Sequence, residues 1–175
     1  MSVVETLLDR ANEHQKDFVL IGGHAVNALG IARATHDLDF AVRDDDKSWW
    51  GGQLLSFGYT VVNQQKACIQ TRGPLQSSWA IDLMLLDNET MDRLIGGSSE
   101  ILFLSKRCRL PAPKHLLAMK FHALNSPGRR TDNKDMDDIV GIVEKYGITA
   151  EDLETLAERY GKKELLDEIK DKLPY

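Results

Sequence analysis

The sequence lacks any apolar run approaching the roughly 20 residues that a membrane-spanning helix needs. A helical membrane protein is therefore set aside. Cysteine is scarce: Cys68 and Cys108 are too few for a disulfide framework and lack metal spacing. They read as buried free thiols. Residues 1–10 carry acids and show no basic-then-apolar leader pattern, so a cytoplasmic location is expected. A basic excess is missing as well. With 22 Lys and Arg against 27 Asp and Glu the net charge is −5, so a nucleic-acid partner would need a local patch. The histidines offer no metal pattern: His115 and His122 lack ligand spacing, and there is no H-E-x-x-H. What remains is an ordinary globular balance, 42% hydrophobic and 28% charged. The 175 residues suffice for one domain, or a compact domain with a helical extension.

The most informative stretch is residues 18–42. Four apolar residues, Phe18 to Ile21, end at Gly22-Gly23, the length and punctuation of a short buried strand running into a tight turn. Residues 24–29 read as a short helix stopped by Gly30. Asp37-Leu38-Asp39-Phe40 opens a second strand. Glycine at a strand-to-helix turn permits positive φ and lets a ligand approach the backbone. The first amides of the helix then face outward, where a phosphate can sit. Asp37 and Asp39, two apart on a strand, share a face, with Leu38 and Phe40 on the other. Two such carboxylates repel unless a cation lies between them, and Mg²⁺ favours oxygen ligands together with substrate phosphates. Taken singly, a Gly-Gly pair is a turn and an Asp-x-Asp a solvated strand end. Their order on these elements is what carries the signal.

A third carboxylate, Asp82, is the one polar residue of an otherwise apolar strand over residues 79–86, read as a central strand buried on both faces. An isolated acid there is costly unless hydrogen-bonded, protonated or bound to a cation. It could instead be a structural acid paired with an arginine. Beside an Asp-x-Asp pair it is also what metal-assisted phosphoryl chemistry requires.

Gly22-Gly23, a short helix and then Asp37-Leu38-Asp39 resembles the signature of the DNA polymerase β-like nucleotidyltransferase superfamily. The lead-in Arg33-x-Thr35-x-Asp37 is similar to that of AbiEii-type nucleotidyltransferase toxins of type IV toxin–antitoxin systems and their bacterial relatives. The small antibiotic nucleotidyltransferases share the resemblance. Its strong part covers residues 18–42, with weaker support as far as Asp138. It implies an α+β nucleotidyltransferase fold, Asp37, Asp39 and Asp82 as catalytic and metal-binding acids, and Mg²⁺ or Mn²⁺ as cofactor. It also implies a triphosphate held at Gly22 and Gly23, aided by Arg33.

The other elements are plainer. Residues 2–14 form an amphipathic helix with Val3, Leu7 and neighbours on one stripe. Asp44-Asp45-Asp46 is a solvated turn, and residues 47–57 a helix weakened by Gly51-Gly52. Strands follow over 59–62 and 67–71, a short helix over 87–95, a loop over 96–99 and a short strand over 101–104. Pro111-x-Pro113 breaks the chain, and helices are expected beyond it over 114–124, 132–146, 149–159 and 162–172. In the first of these, Lys120 lies mid-way along an apolar arc, where a lysine either snorkels or reaches a buried anion. AbiEii-like proteins carry a lysine on a helix after the sheet, so the resemblance implies a phosphate contact there. Further on, Arg130-x-x-x-Lys134-Asp135-x-x-Asp138 resembles their charged motif, in which an acid serves the site or holds the lysine. That role falls to Asp135. The plain reading is that acids near a helix start complement its dipole.

The expected architecture is a nucleotidyltransferase core over 1–110, a small mixed β-sheet flanked by helices, followed by a C-terminal helical bundle over 111–175. The expected activity is transfer of a nucleoside monophosphate from an NTP to a hydroxyl of an RNA end, a protein or a small molecule. A toxin role would add a cognate antitoxin as partner. The alternatives are a non-catalytic nucleotide-binding regulatory or partner protein, a small-molecule (antibiotic) nucleotidyltransferase, and an interaction protein built on the helical half.

Overall fold

The structure, a computed structural model, describes residues 2–124, 133–160 and 163–173. The polar loop expected over 125–131, with Arg129 and Arg130, lies outside the described residues, as does Asp132. The chain divides into two compact units. One comprises Met1–Ala25 and Ala34–Pro111, the other Val26–Arg33 and Ala112–Tyr175. The short connection Val26–Arg33 thus belongs with the helices, although sequence reading leaves it in the first half.

The first unit is built on a seven-stranded sheet. Helix α1 (Val3–Glu13) starts at a capping box: Ser2 Oγ accepts from the Glu5 amide, and the Glu5 carboxylate accepts from the Ser2 amide. These bonds satisfy amides that the first helical turn leaves free. Its buried stripe is Val4, Leu7, Leu8 and Ala11, the i, i+3, i+4, i+7 pattern of a helix packed on one side. Strand β1 (Phe18–Ile21) is wholly buried, and α2 (Gly22–Ala28) follows without a gap, two residues earlier than the sequence suggests. Then come β2 (Asp37–Arg43), a 3-10 turn at Asp44–Asp46, α3 (Lys47–Ser56), β3 (Thr60–Gln65), β4 (Cys68–Arg72), β5 (Ala80–Leu86), α4 (Asn88–Gly96), β6 (Ser98–Phe103) and β7 (Lys106–Pro111). The strand order is β3-β4-β5-β2-β1-β7-β6.

The sheet is mixed. β2 runs antiparallel to β1, with Ile21 opposite Asp39, and parallel to β5, with Asp39 opposite Asp82. β4 is antiparallel to β5 and β3 to β4. Three strands sit differently from expectation. β5 is buried on one face only: Ile81, Leu83 and Leu85 are buried, whereas Ala80, Asp82, Met84 and Leu86 are half-buried. Asp82 therefore lies on the more open face of the sheet, not in its core. Residues 106–111 form a strand the sequence reading lacks, and β6 starts at Ser98 where a loop is expected. Arginines alternate with Cys108 and Leu110, of which the latter two are buried. The β6–β7 turn puts Leu104 and Ser105 at φ of 51° and 61°, so no glycine announces it.

Behind β2 lies an aromatic core. Phe40 meets Phe18 edge-on at 5.7 Å and Trp50 at 6.4 Å, stacked, and Trp50 is fully buried. Helix α3 forms despite Gly51-Gly52 because Trp50 and Leu54 anchor one side; packing overrides propensity.

The second unit holds α5 (Pro113–Leu124), α6 (Asn133–Tyr146), α7 (Ala150–Tyr160) and α8 (Lys163–Lys172). Its core draws on Leu116, Leu117, Phe121, Ile139, Ile142, Leu153 and Ile169. Among the described residues no helix is long and apolar enough to cross a membrane.

Phe40 backs the strand that carries Asp37 and Asp39. Phe40→Ala should cost about 3–5 kcal/mol through lost burial and a residual cavity, read as a lower midpoint in urea unfolding.

Candidate active site

The alternation of β2 decides where its charges go. Leu38 and Phe40 are buried on the inner face, Asp37 is exposed and Asp39 half-buried on the outer. Directly opposed residues of neighbouring strands share a face. Asp39 and Asp82 face each other across the β2–β5 pair, two residues along β2 from Asp37, itself opposite Ala80. A carboxylate pair two apart on one strand and a third acid on the next strand thus meet on one open face.

Gly22 makes room for this group. Its φ is +65°, and a Cβ built on it would overlap Asp39 Oδ2. The missing side chain, read from the sequence as an approach for a ligand, is first an approach for the Asp39 carboxylate. Gly23 follows it as a buried residue of α2.

Asp82 is held by β4. The Thr71 amide donates to Oδ1 at 3.2 Å, and Gln70 Nε2 donates to Oδ2 at 3.1 Å. Asn63 Nδ2 on β3 donates to Gln70 Oε1 at 2.8 Å. An arginine partner, the structural alternative, is not what holds Asp82 among the described residues. Burial pushes the Asp82 carboxyl above the ordinary aspartate range; the Gln70 and Thr71 hydrogen bonds oppose the shift and the charge of Asp37 adds to it. Gln70 and Thr71 were missed by sequence reading. Their only signal is that they lie on the strand preceding that of Asp82.

The donor set suits a hard divalent cation, which takes carboxylate oxygens and completes its shell from phosphates and water. Among the described residues no three acidic, histidine or cysteine side chains close on one point as they stand. The fit rests instead on the strand register of Asp39 and Asp82 and on the space Gly22 leaves beside Asp39.

Arg33, Lys120 and Asp135 come together inside the helical unit. Lys120 Nζ lies 2.7 Å from Asp135 Oδ1 and 2.6 Å from Asp138 Oδ2, and Arg33 Nε lies 2.9 Å from Asp138 Oδ1. Lys120, Asp135 and Asp138 are 7%, 4% and 2% exposed. Lys120 does not snorkel; it reaches a buried anion of its own chain. Asp135 and Asp138, three apart on α6, turn to one side, while Lys134 and Asp137 are exposed. The acids of this helix are thus not all a solvated complement to its dipole. Arg33 is also fixed through its backbone, since Asn27 accepts from its amide at 2.8 Å and donates to its carbonyl at 2.9 Å.

No family model matches the sequence, and neither does any curated protein sequence. Solved structures do match in fold. The antibiotic-resistance factor ANT(2'')-Ia is 16% identical in its solution structure, over 90% of this chain and 89% of that one, with a TM-score of 0.69. Its crystal complex with adenylyl-2''-tobramycin is 15% identical over 90% and 94%, with a TM-score of 0.66. Lincosamide antibiotic adenylyltransferase LnuA, bound to lincomycin, is 15% identical over 80% and 94%, with a TM-score of 0.58. The chain has the nucleotidyltransferase fold.

Two substitutions probe the two clusters. Gly22→Ala must place a methyl where Asp39 Oδ2 lies and a side chain in left-handed backbone. It should lower stability by about 1–2 kcal/mol from the backbone alone, and displace Asp39, visible as a shifted carboxyl resonance. Lys120→Met removes the cation shared by Asp135 and Asp138 and should destabilise by about 3–5 kcal/mol in chemical denaturation, whereas a snorkelling lysine would give no loss.

Proposed function

We propose that the chain is a metal-dependent nucleotidyltransferase that moves a nucleoside monophosphate from an NTP to a hydroxyl and releases pyrophosphate. The observation that carries this reading is the in-register pair Asp39 and Asp82 on parallel strands, with Asp37 on the same face. The fold shared with antibiotic adenylyltransferases supports it.

In this reading the acceptor oxygen attacks the α-phosphorus and forms a new P–O bond. The bond from that phosphorus to the β-phosphate oxygen breaks, and its electron pair leaves with pyrophosphate. The hydroxyl proton passes to Asp82, whose carboxylate Gln70 and Thr71 hold in place. Asp37, Asp39 and Asp82 would hold Mg²⁺ or Mn²⁺, which supplies the positive charge that screens the triphosphate from these acids and stabilises charge on the departing group. The backbone at Gly22 and Gly23 lies beside Asp39 and is the proposed contact for the phosphates. The nucleotide-binding role that the resemblance implies for Arg33, Lys120 and Asp135 forms a separate part of the reading, because all three already meet within the helical unit.

Two acceptor classes follow from different observations. A small-molecule hydroxyl is favoured by the fold shared with ANT(2'')-Ia and LnuA, whose structures hold adenylyl-2''-tobramycin and lincomycin. The AbiEii-type lead-in Arg33-x-Thr35-x-Asp37 favours an RNA or protein hydroxyl, and a toxin held by a cognate antitoxin.

The test is incubation with each α-labelled NTP, Mg²⁺ and three acceptor pools: small hydroxyl compounds including tobramycin and lincomycin, total RNA, and total protein. The expected result is label in one pool with one pyrophosphate released per transfer. Asp39→Asn should lower the rate by orders of magnitude while the metal-free melting temperature holds or rises, since a repulsion is relieved. Near-normal transfer by Asp39→Asn, or no pyrophosphate from any combination, would falsify the reading.

A further inference from the structure

A polar ladder crosses four strands of the sheet on the face that carries the acids. Asn63 on β3 is opposite Gln70 on β4, Gln70 is opposite Asp82 on β5, and Asp82 is opposite Asp39 on β2. We propose that Gln70 is a positioning residue for the transfer site, its side-chain amide, aligned by Asn63, holding the Asp82 carboxylate in the orientation that serves a cation shared with Asp39. This inference rests on the nucleotidyl-transfer reading above.

The argument is one of direction along the ladder. Asn63 Nδ2 donates to Gln70 Oε1 at 2.8 Å, and Gln70 Nε2 donates to Asp82 Oδ2 at 3.1 Å. An amide has an acceptor end and a donor end. If the Gln70 amide turned over, Oε1 would face a carboxylate oxygen and its NH₂ would face another NH₂. The acceptor-only Asp82 carboxylate therefore sets the direction of the Gln70 amide, and the donor that Asn63 presents to Oε1 supports it. The Thr71 amide holds the other oxygen, Oδ1, at 3.2 Å. With one donor on each oxygen, the plane of the Asp82 carboxylate is fixed from the β4 side, and the lone pairs left over are those available to a cation. Asn63 and Gln70 are both exposed. Exposed side chains away from special features contribute little to stability, so packing gives no reason for a directional pair here. Outer-shell partners that orient a ligating carboxylate do give one.

The experiment compares wild type with Gln70→Met, Asn63→Ala and the double variant, all in the full chain. Gln70→Met keeps the length of the side chain and removes both ends of the amide. Three quantities are read: Mn²⁺ affinity by direct titration without turnover, kcat and KM for the NTP, and melting temperature. Gln70→Met should weaken Mn²⁺ binding and lower kcat by about 10- to 100-fold, the usual cost of losing an outer-shell partner. KM for the NTP and the melting temperature should stay close to wild type. Asn63→Ala should move the same quantities less, and the double variant should match Gln70→Met, because Asn63 acts only through the amide. Unchanged Mn²⁺ affinity in Gln70→Met overturns the proposal. So does a double variant whose losses multiply, or a loss that follows a fall in melting temperature. If wild type transfers nothing, the functional reading fails by itself, and the Mn²⁺ titration still decides whether Gln70 positions Asp82.

Discussion

Repulsion between like charges is the constraint on which the sheet unit depends. Directly opposed side chains on neighbouring strands have Cβ atoms about 5 Å apart. Like charges placed at that spacing repel. Asp39 and Asp82 are opposed in register, and the charge of Asp37 pushes the Asp82 carboxyl up. Their strands stay together because the opposite face is apolar: Leu38, Phe40, Ile81 and Leu83 are buried there. The hydrophobic face holds fixed a charge arrangement that the side chains themselves resist.

The same constraint sets a sign for pH. Asp82 has its carboxyl raised in the folded chain, by burial first and by Asp37 in addition. A raised carboxyl means that ionisation costs folding free energy. The penalty is absent below the ordinary aspartate range and grows as pH rises through the raised value. Asp82 is only partly buried, so solvent moderates the effect. Positive charge placed among the three acids would remove the penalty, which couples stability at neutral pH to whatever cation or ligand the site takes.

Much of this was legible in residues 18–42, because strand alternation alone puts Asp37 and Asp39 on one face and a Gly-Gly turn marks the end of β1. Asp82 was singled out by its isolation in an apolar strand and by the family resemblance, on a reading of that strand as buried on both faces that the structure corrects. The one-sided burial of β5 was not legible: Met84 and Ala80 are apolar, yet they share the open face with Asp82, and no local pattern separates them from core residues. β7 was hidden because arginines stand between its buried positions and its turn uses Leu104 and Ser105 rather than glycine. The role of Gly22 was legible in kind but not in partner. Its missing Cβ is matched to Asp39, seventeen residues on, a contact that exists only once β1 and β2 pair.

The two acid clusters pose opposite electrostatic problems. In the sheet unit, three carboxylates on one face are helped by neutral donors from Gln70 and Thr71, and their charge invites a cation. In the helical unit, Asp135 and Asp138 are met by Lys120 and Arg33, so among the described residues two carboxylates face two cations in a buried setting. Such a set is costly to break from either side, since the partner left behind is an uncompensated buried charge. If Lys120 is to bind a phosphate, it must do so while still holding Asp135 and Asp138, or those carboxylates must gain another cation in exchange. A nucleotide contact by Lys120 is thus a matter of adding a third anion to a cation that already has two.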